Sequence, residues 1–329
     1  MPGMVTKMIT WKRSLTAAGV REPELRSDYD DGRRLVARFR RSSYLAARLL
    51  LPPSVLPHVV AATAVMHHGD NLLDTGPKPQ RTAAWASWER RVREALETGM
   101  SDEPLIRTLL HTVAACPRLR GVVEEYLSTA GAELEFTGFD SEADYQAYVD
   151  AYSLPAFMLV AVLLGPEDDD GRYRAMCRTL IDGSQRLDFV NDLAEDVAEG
   201  RPGIPAQTLA RFSVTAADLA TGHESPGLRL LVEHEVGAAR AALEAAREAA
   251  QGLATQVSAS GLALLNAFVE IELLTADAAL ARGAALLHGS ASPPLLSTLR
   301  VLRNARRTVS GRRTFEGERR RSEPPRRAA

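Results

Sequence analysis

The stretch QRLDFVNDLAED at residues 185–196 places acidic side chains at helical spacing inside an otherwise apolar segment. At about 100° per residue, a helix gathers such side chains onto one narrow arc and puts apolar side chains on the neighbouring arc. The polar arc comprises Gln185, Asp188, Asp192, Asp196 and Glu199, and the apolar arc comprises Leu187, Val190, Leu193 and Val197. The predicted helix therefore has an acidic face beside a core face, a pattern typical of a cation-binding site.

A second acidic pair lies more than a hundred residues upstream, in HHGDNLLD at residues 67–74. A lone pair with i, i+4 spacing usually marks a solvated helix face, but two such runs together favour a functional site. Mg²⁺ binds through one or two carboxylates, with water and substrate phosphate oxygens completing its coordination. Facing acidic helices could therefore hold a diphosphate through Mg²⁺, or Mn²⁺, and stabilise its departure. The predicted metal ligands are Asp70, Asp74, Asp188, Asp192 and Asp196.

Five segments in order, between about residues 39 and 219, resemble the phytoene/squalene synthases, the head-to-head trans-isoprenyl diphosphate synthases. The matching residues are Ser42, Ser43 and Tyr44 with LLP at 50–52, Asp70 and Asp74, GAELEF at 131–136, Tyr152 with Ala156, and Gln185, Asp192, Glu195 and Asp196 followed by Arg201, Ile204 and Pro205. The resemblance implies a single all-α, isoprenoid-synthase-type helical bundle with a central active-site cavity. It also implies a prenyl diphosphate substrate.

The expected catalytic residues are Asp70, Asp74, Asp192 and Asp196, with His67 beside them on the helical wheel. A structural role for His67 is an equal alternative. The expected substrate-binding residues are Ser43, Tyr44, Tyr152, Phe157, Gln185, Asp188, Asn191 and Arg201. Tyr152 and Phe157 could stabilise a cation through their ring faces, or could simply belong to the core.

Several positions depart from the family pattern. Asp188 stands where the family has Asn, and Asn191 and His67 stand where it has Arg. Gly203 replaces a Tyr, and Phe157 replaces a Gly, which should reshape the apolar tunnel. Two phosphate-facing cations are thus missing, while Asp188 adds negative charge.

Three functional hypotheses follow. The first is Mg²⁺-dependent condensation of the phytoene/squalene synthase type. The second keeps diphosphate ionisation but transfers the cation to a small-molecule acceptor, for example an aromatic ring, or cyclises it; the missing arginines favour this version. The third is a catalytically silent helical binding or assembly protein, against which the retention of all four motif aspartates argues.

Composition is that of an ordinary globular enzyme. The 329 residues are 45% hydrophobic, enough for a sizeable core, and period-two strand patterns are absent. We expect a helical domain at 27–308, with long helices at 27–50 and 169–199, between a partly disordered extension at 1–26 and a basic, disordered tail at 309–329. Residues 303–329 hold ten Arg and three Glu, or +7, which leaves −2 − 7 = −9 for the rest.

Cofactors, partners and location follow from what the sequence contains and lacks. Cys116 and Cys177 have no metal-site spacing, and the N-terminus has no apolar secretory segment, so a reducing cytoplasm is expected. No glycine-rich nucleotide motif is present, so no NAD(P)H is expected. The basic tail leaves peripheral contact with an anionic membrane open, and nucleic-acid binding is not expected.

Overall fold

The computed structural model describes residues 10–39, 41–168, 171–222 and 224–322, with only the backbone described for 311–322. Within these ranges the chain forms α-helices joined by short loops, and no strand occurs. The helices are α1 Trp11–Ala17, α2 Pro23–Phe39, α3 Arg41–Leu50, α4 Leu56–Asp74, α5 Lys78–Thr98, α6 Pro104–Ala115, α7 Leu119–Thr129, α8 Ala132–Glu135, α9 Glu142–Tyr148, α10 Leu154–Ala161, α11 Arg172–Asn191, α12 Leu193–Ala198, α13 Ala206–Arg211, α14 Ala216–Thr221, α15 Pro226–Gly252, α16 Ala259–Arg282 and α17 Leu295–Ser322. A π-helical turn, Val149–Ser153, joins α9 to α10, and a 3₁₀ turn, Gly283–His288, follows α16. The all-α prediction is confirmed.

Local signals explain where several helices begin and end. Ser141 accepts a hydrogen bond from the backbone N–H of Asp144, and Asp144 accepts one from the backbone N–H of Ser141. This capping box is the one that the Ser-x-x-Asp spacing predicts. Helix α5 ends at Gly99, whose φ of 73° lies in the left-handed region that glycine enters without steric cost.

The long helix predicted over 169–199 is broken at Asp192. Helix α11 starts at Arg172 and ends at Asn191; Asp192 has φ −95° and ψ 11°, and α12 starts at Leu193. The backbone N–H of Asp192 still bonds the carbonyl of Asp188, at 2.8 Å, and the N–H of Asp196 bonds the carbonyl of Asp192, at 3.0 Å. The acidic side chains therefore come from two short-linked helices rather than from one straight face.

The helix predicted over 27–50 is described as two helical segments, one on each side of residue 40. Helix α2 ends at Phe39 and α3 begins at Arg41, with residue 40 outside the described residues. On α3, Ala46 and Leu50 contact Ala267 and Leu302. Helix α3 is thereby held as one wall of the cavity described below.

Helices α11 and α15 form the most closely packed pair of the bundle. A Cβ at Gly183 of α11 would lie only 2.8 Å from the carbonyl oxygen of Ala239 on α15, so the approach depends on glycine. Apolar residues of α4 to α7, α10, α15 and α16 continue the main core around Trp88, Tyr126 and Leu159. This core fixes α4 and α11 as opposite, rigid walls of a central space.

The structure describes part of each predicted terminal segment. Leu15 and Val20, inside the extension predicted for 1–26, are buried against α2 and α4. The basic tail, predicted to be disordered from residue 309, continues α17 as helix to Ser322, with proline absent until residue 324. Residues 1–9 and 323–329 lie outside the described residues.

One apolar segment has the dimensions of a membrane span. Residues Ala259–His288 meet that requirement of length and composition, and 50% of the most apolar window is buried inside the fold. Core helices of globular proteins often have this length and composition, and the segment comprises helix α16 and the turn that follows it.

Candidate active site

A cavity of about 1030 Å³ lies between the walls formed by α3, α4, α10, α11 and α16. One part of it is lined by apolar side chains, including Val60, Ala156, Val160, Leu265 and Phe268. Its other part is lined by carboxylates. The cavity therefore has an apolar end and an acidic end, which we call the carboxylate end.

The carboxylate end unites the two acidic runs of the sequence. Helix α4 contributes Asp70 and Asp74, and α11 and α12 with their junction contribute Asp188, Asp192 and Asp196 to the same cavity. Glu133, on the short helix α8, joins them. Side chains more than a hundred residues apart in sequence thus face one space.

Glu133 was not among the predicted site residues. Its side chain is buried, accepts a hydrogen bond from the Tyr148 hydroxyl and lies 3.7 Å from the Arg201 guanidinium. Burial raises the pKa of Glu133 to about 7; the Tyr148 hydrogen bond opposes this shift and the Asp74 charge adds to it. A carboxyl group with this pKa can exchange a proton near neutral pH.

Tyrosine hydroxyls hold the neighbouring carboxylates in place. The Tyr152 hydroxyl, on the π-helical turn, donates to Oδ1 of Asp70 at 2.9 Å. Burial, and then the Asp70 charge, raise the pKa of Tyr152, so the phenol stays protonated and keeps donating. Tyr152 therefore orients Asp70 in addition to lining the cavity.

The Asp196 carboxylate lies in a crowded acidic environment. Its Oδ2 atom is buried and has no hydrogen-bond partner among the described residues. Desolvation, and then the charges of Asp192 and Glu199, raise the pKa of Asp196 to about 7. Partial desolvation against the cavity wall also raises the pKa of Asp74, although Arg201 and Arg81 oppose that shift.

Arginines are few at this end. Among the described residues that line the cavity there are seven carboxylates and two guanidinium groups: Asp70, Asp74, Glu133, Asp188, Asp192, Asp196 and Glu272, against Arg41 and Arg201. Arg201 also pairs with Glu199 at 2.5 Å. The acidic end therefore carries an excess of negative charge.

Most of the other predicted site residues line the cavity. Ser43, Tyr44, His67, Phe157 and Gln185 all line the cavity. The Ser153 hydroxyl donates to Oε1 of Gln185 at 2.9 Å, and the His67 ring lies 4.7 Å from the Phe39 ring. Phe157 packs near Phe268 with the ring centres 6.2 Å apart, so its ring belongs to the apolar end.

Asn191 does not line the cavity, so its predicted role in substrate binding is not supported by its position. Its amide nitrogen donates to the carbonyl of Ala291 at 3.0 Å, and its Oδ1 accepts from the Ala291 N–H at 2.6 Å. This two-way bond fastens the end of α11 to the segment before α17. Asn191 is a structural clamp beside the point where α11 breaks.

Gly203, where the sequence predicts a reshaped tunnel, lies directly beside an aromatic ring. A Cβ at Gly203 would lie 2.0 Å from Cδ1 of Phe189, so the Phe189 ring occupies the space that a side chain at 203 would need. Phe189 lines the cavity and packs in an aromatic cluster with Phe136, Phe139, Tyr145 and Tyr148. An aromatic ring thus bounds the cavity here, but it comes from α11.

The carboxylate end fits a divalent, oxygen-preferring metal ion. Carboxylate oxygens are the ligands that Mg²⁺ prefers, and the unpartnered Oδ2 of Asp196 is a free acceptor. Within the described part of the chain, no three His, Cys, Asp or Glu side chains gather closely enough to hold a metal among themselves. Mg²⁺ tolerates such a spacing because water and phosphate oxygens commonly complete its octahedron.

Sequence comparisons connect this site to known proteins. The family model described as squalene/phytoene synthase matches residues 36–307. A bifunctional protein CrtB/UppS of Streptomyces coelicolor is 28% identical over 230 residues, which are 70% of this chain but 40% of that protein. A 15-cis-phytoene synthase of a Synechocystis species is 23% identical over 237 residues, 68% of this chain and 69% of that enzyme.

Solved structures share the fold. The squalene synthase HpnC of Alicyclobacillus acidocaldarius has a TM-score of 0.69 and 24% identity, over 83% of this chain and 99% of that one. A dehydrosqualene synthase in complex with a ligand has a TM-score of 0.74 and 17% identity, over 88% of this chain and 98% of that one. These similarities confirm the isoprenoid-synthase-type helical bundle.

Proposed function

Because this chain belongs to the squalene/phytoene synthase family of prenyltransferases, we propose that it ionises an isoprenyl diphosphate at the carboxylate end and condenses the allylic cation with a second isoprenyl diphosphate. The observation that carries the proposal is one cavity with carboxylates from α4, α11 and α12 at one end and an apolar lining at the other. A diphosphate with an isoprenoid chain has the same division into a charged head and an apolar tail.

Divalent metal ions are part of the proposal. Asp70 and Asp74 would hold them from one side, and Asp188, Asp192 and Asp196 from the other. Mg²⁺ supplies, when bound, the positive charge that attracts the diphosphate and stabilises the departing pyrophosphate. The seven carboxylates and two arginines of the cavity wall make such a charge necessary, since a diphosphate would otherwise meet net repulsion.

The protein's own side chains then orient the reacting groups. Tyr152 fixes the Asp70 carboxylate by its 2.9 Å hydrogen bond, and Ser153 fixes Gln185 in the same way. Arg201 supplies a guanidinium at the acidic end, where it can bind a diphosphate oxygen. The apolar walls exclude water, which would otherwise capture the cation.

The cavity volume is compatible with long or paired isoprenoid chains. Ligand pockets commonly measure about 300–1,000 Å³, and this cavity, at about 1030 Å³, lies at the upper end. Its aromatic lining includes Phe157 and Phe268 at the apolar end, where ring faces can stabilise a carbocation.

A second reaction on the same site is favoured by one observation. Asn191 points to Ala291, so no side chain at that position supplies the cation that the related motif carries there. With fewer positive groups for a second diphosphate, the allylic cation would pass to an uncharged acceptor such as an aromatic ring, or cyclise.

A product analysis distinguishes the two reactions. The protein is incubated with Mg²⁺ and geranyl, farnesyl or geranylgeranyl diphosphate, with and without aromatic acceptors, and products are identified by mass. A hydrocarbon of twice the donor's carbon number supports condensation; prenylated acceptor or a cyclic terpene supports the second reaction. Absence of pyrophosphate release from every donor, with Mg²⁺ and with Mn²⁺, would contradict both.

A further inference from the structure

Helix α17 exposes three leucines in its first turns. Leu295, Leu296 and Leu299 have exposed fractions of 72%, 78% and 44%, whereas Leu302 on the same helix is 1% exposed. Single exposed leucines are common on protein surfaces, but adjacent ones form a patch that marks an interaction site. The first turns of α17 therefore present an apolar surface to their surroundings.

Arginines continue this surface along the helix. Arg300, Arg303 and Arg307 are exposed and follow the leucines at the i, i+3 and i, i+4 spacing of one helix face. Among the side chains that the structure describes, none forms an ion pair or a hydrogen bond with these three guanidinium groups. By contrast, Arg240 of α15 pairs with Asp277 of α16. We call Leu295, Leu296, Leu299, Arg300, Arg303 and Arg307 the leucine–arginine face.

The leucine–arginine face starts next to the cavity. Pro293, two residues before Leu295, lines the cavity, and Asn191 clamps Ala291, two residues before Pro293. A neighbouring arc of α17 packs through Leu302 against α3 and α16, two walls of the cavity. Phe39, which is 52% exposed, also lines the cavity. The position of the face relative to the cavity is thus fixed by packing.

We propose that the leucine–arginine face binds the surface of an anionic lipid bilayer. A helix with apolar residues on one surface and arginines beside them lies in the interface, with the apolar side chains at the boundary of headgroups and acyl chains. Arginines near the surface bind lipid phosphates. The binding itself does not depend on the proposed function; its purpose does, because an isoprenoid donor or product would then move between membrane and cavity without crossing water.

The positive charge of the leucine–arginine face favours an anionic membrane over a second copy of this chain as its partner. A two-fold symmetric contact through this face would bring its arginines together with those of the partner, which is repulsive. The face itself contains no carboxylate that could offset them. An anionic bilayer offers acyl chains to the leucines and lipid phosphates to the arginines.

Vesicle co-sedimentation of the full chain, without substrate or metal, tests the proposal. The wild type is expected to bind phosphatidylcholine vesicles that contain phosphatidylglycerol, to bind pure phosphatidylcholine vesicles far more weakly, and to dissociate as salt is raised. Leu295→Ala/Leu296→Ala/Leu299→Ala and Arg300→Gln/Arg303→Gln/Arg307→Gln are each expected to lower the partition coefficient by at least about tenfold. Thermal unfolding checks that both variants fold.

Helix α15 offers matched controls. Arg229 and Leu230 are exposed neighbours there, so Arg229→Gln and Leu230→Ala remove the same groups from another surface and should leave binding unchanged. Wild-type binding by the folded leucine variant would overturn the proposal, because the basic tail alone would then account for binding. A wild-type dimer that the leucine variant dissociates, with no vesicle binding, would overturn it in favour of a second copy. If the wild type binds vesicles but releases no pyrophosphate from any prenyl diphosphate, only the proposed function is contradicted.

Discussion

The two faces of α11 meet carboxylates in opposite electrostatic situations. On the face away from the cavity, Arg186 is buried between Glu142 and Glu235, and its guanidinium lies 2.8 Å from the Glu235 carboxylate. On the cavity face, Asp188 and the neighbouring Asp192 and Asp196 meet carboxylates of α4 across the space. On the face away from the cavity, an arginine neutralises the carboxylates. On the cavity face, carboxylates lie close to other carboxylates.

The pKa values follow this difference. Burial opposes ionisation of Glu142, yet hydrogen bonds from Arg186 and Gln146 lower its pKa. At Asp196 burial is reinforced by Asp192 and Glu199, and the pKa rises to about 7. A carboxylate neutralised within the chain stabilises the fold, whereas a crowded one stabilises it only when a cation binds. A structural charge cluster and a proposed ligand-binding cluster therefore lie on different sides of α11.

Removing a carboxylate from the cavity face should have the largest effect on activity. Asp70→Asn and Asp192→Asn each delete a proposed metal ligand, and several kcal/mol of transition-state stabilisation corresponds to a loss on the order of a thousandfold. The measurement is pyrophosphate release at saturating Mg²⁺. Asp277→Asn, at an exposed ion pair with Arg240, is the matched control and should retain activity. Full turnover of wild type in excess chelator would contradict the assignment.

Breaking the charge cluster on the opposite face should instead unfold the protein more easily. Arg186→Met leaves Glu235, which is 2% exposed, as a buried charge without its counter-ion, at a cost of about 3–5 kcal/mol in the free energy of unfolding. Urea titration measures this loss. Arg186→Met/Glu235→Leu removes both charges and should recover most of it. A double variant as unstable as the single one would show that the ion pair is not the cause.

The contact between Gly203 and Phe189 allows a smaller, steric test at the edge of the acidic face. Gly203→Ala places a Cβ 2.0 Å from the Phe189 ring, so the ring must move, at a cost of about 1–3 kcal/mol in unfolding free energy. Because Phe189 lines the cavity, the product distribution should change as well. With the ring removed the clash is gone, so Gly203→Ala should cost little further stability when it is added to Phe189→Ala. Gly121→Ala, where no atom lies within 4 Å of the added Cβ, is the control.

Helical periodicity predicted the cavity side of this comparison, because α4 is regular at Asp70 and Asp74 and because backbone hydrogen bonds keep the i, i+4 spacing of the other aspartates across the break at Asp192. The 100° step between neighbours already turns Asn191 away from Asp192, so its placement in the site rested on the family resemblance alone. Its bonds to Ala291 join residues a hundred positions apart, which no local pattern reveals. Glu133 lies in the segment GAELEF at 131–136 that resembles the family, so the sequence held a signal for it, whereas its contacts with Tyr148 and Arg201 are visible only in the structure.

The sequence also did not predict the helix break at Asp192 or the contact between Gly203 and Phe189. Hydrophobic periodicity continues through residues 185–197, so it predicts one helix, and the tertiary clamp at Asn191 accompanies the interruption. The Gly203 substitution signalled a changed tunnel, but only the structure shows that Phe189 occupies that space. Local patterns thus specified which residues are acidic or apolar, and tertiary contacts decided which way they face.

The smallest predicted effect is a pH-dependent stabilisation by metal. Asp196 and Glu133 have pKa values raised to about 7, so the folded protein binds more protons than the unfolded chain between about pH 4 and 7. The metal-free protein should therefore lose stability as pH rises through that range, and the loss should be complete above it. Mg²⁺ with pyrophosphate, which binds the ionised carboxylates, should then raise Tm by a few degrees at pH 8 and much less at pH 5.

Thermal unfolding across pH, with and without Mg²⁺ and pyrophosphate, measures this effect. Subtracting the curve of Asp196→Asn/Glu133→Gln removes the contribution of other titrating groups, such as the buried His58, because those groups are common to both proteins. Glu142→Gln, which alters the Arg186 cluster instead, should keep the metal-dependent rise in Tm at pH 8. An equal rise in Tm at pH 5 and pH 8 would mean that the crowded carboxylates are not what the metal neutralises, and the two faces of α11 would no longer differ in the way proposed.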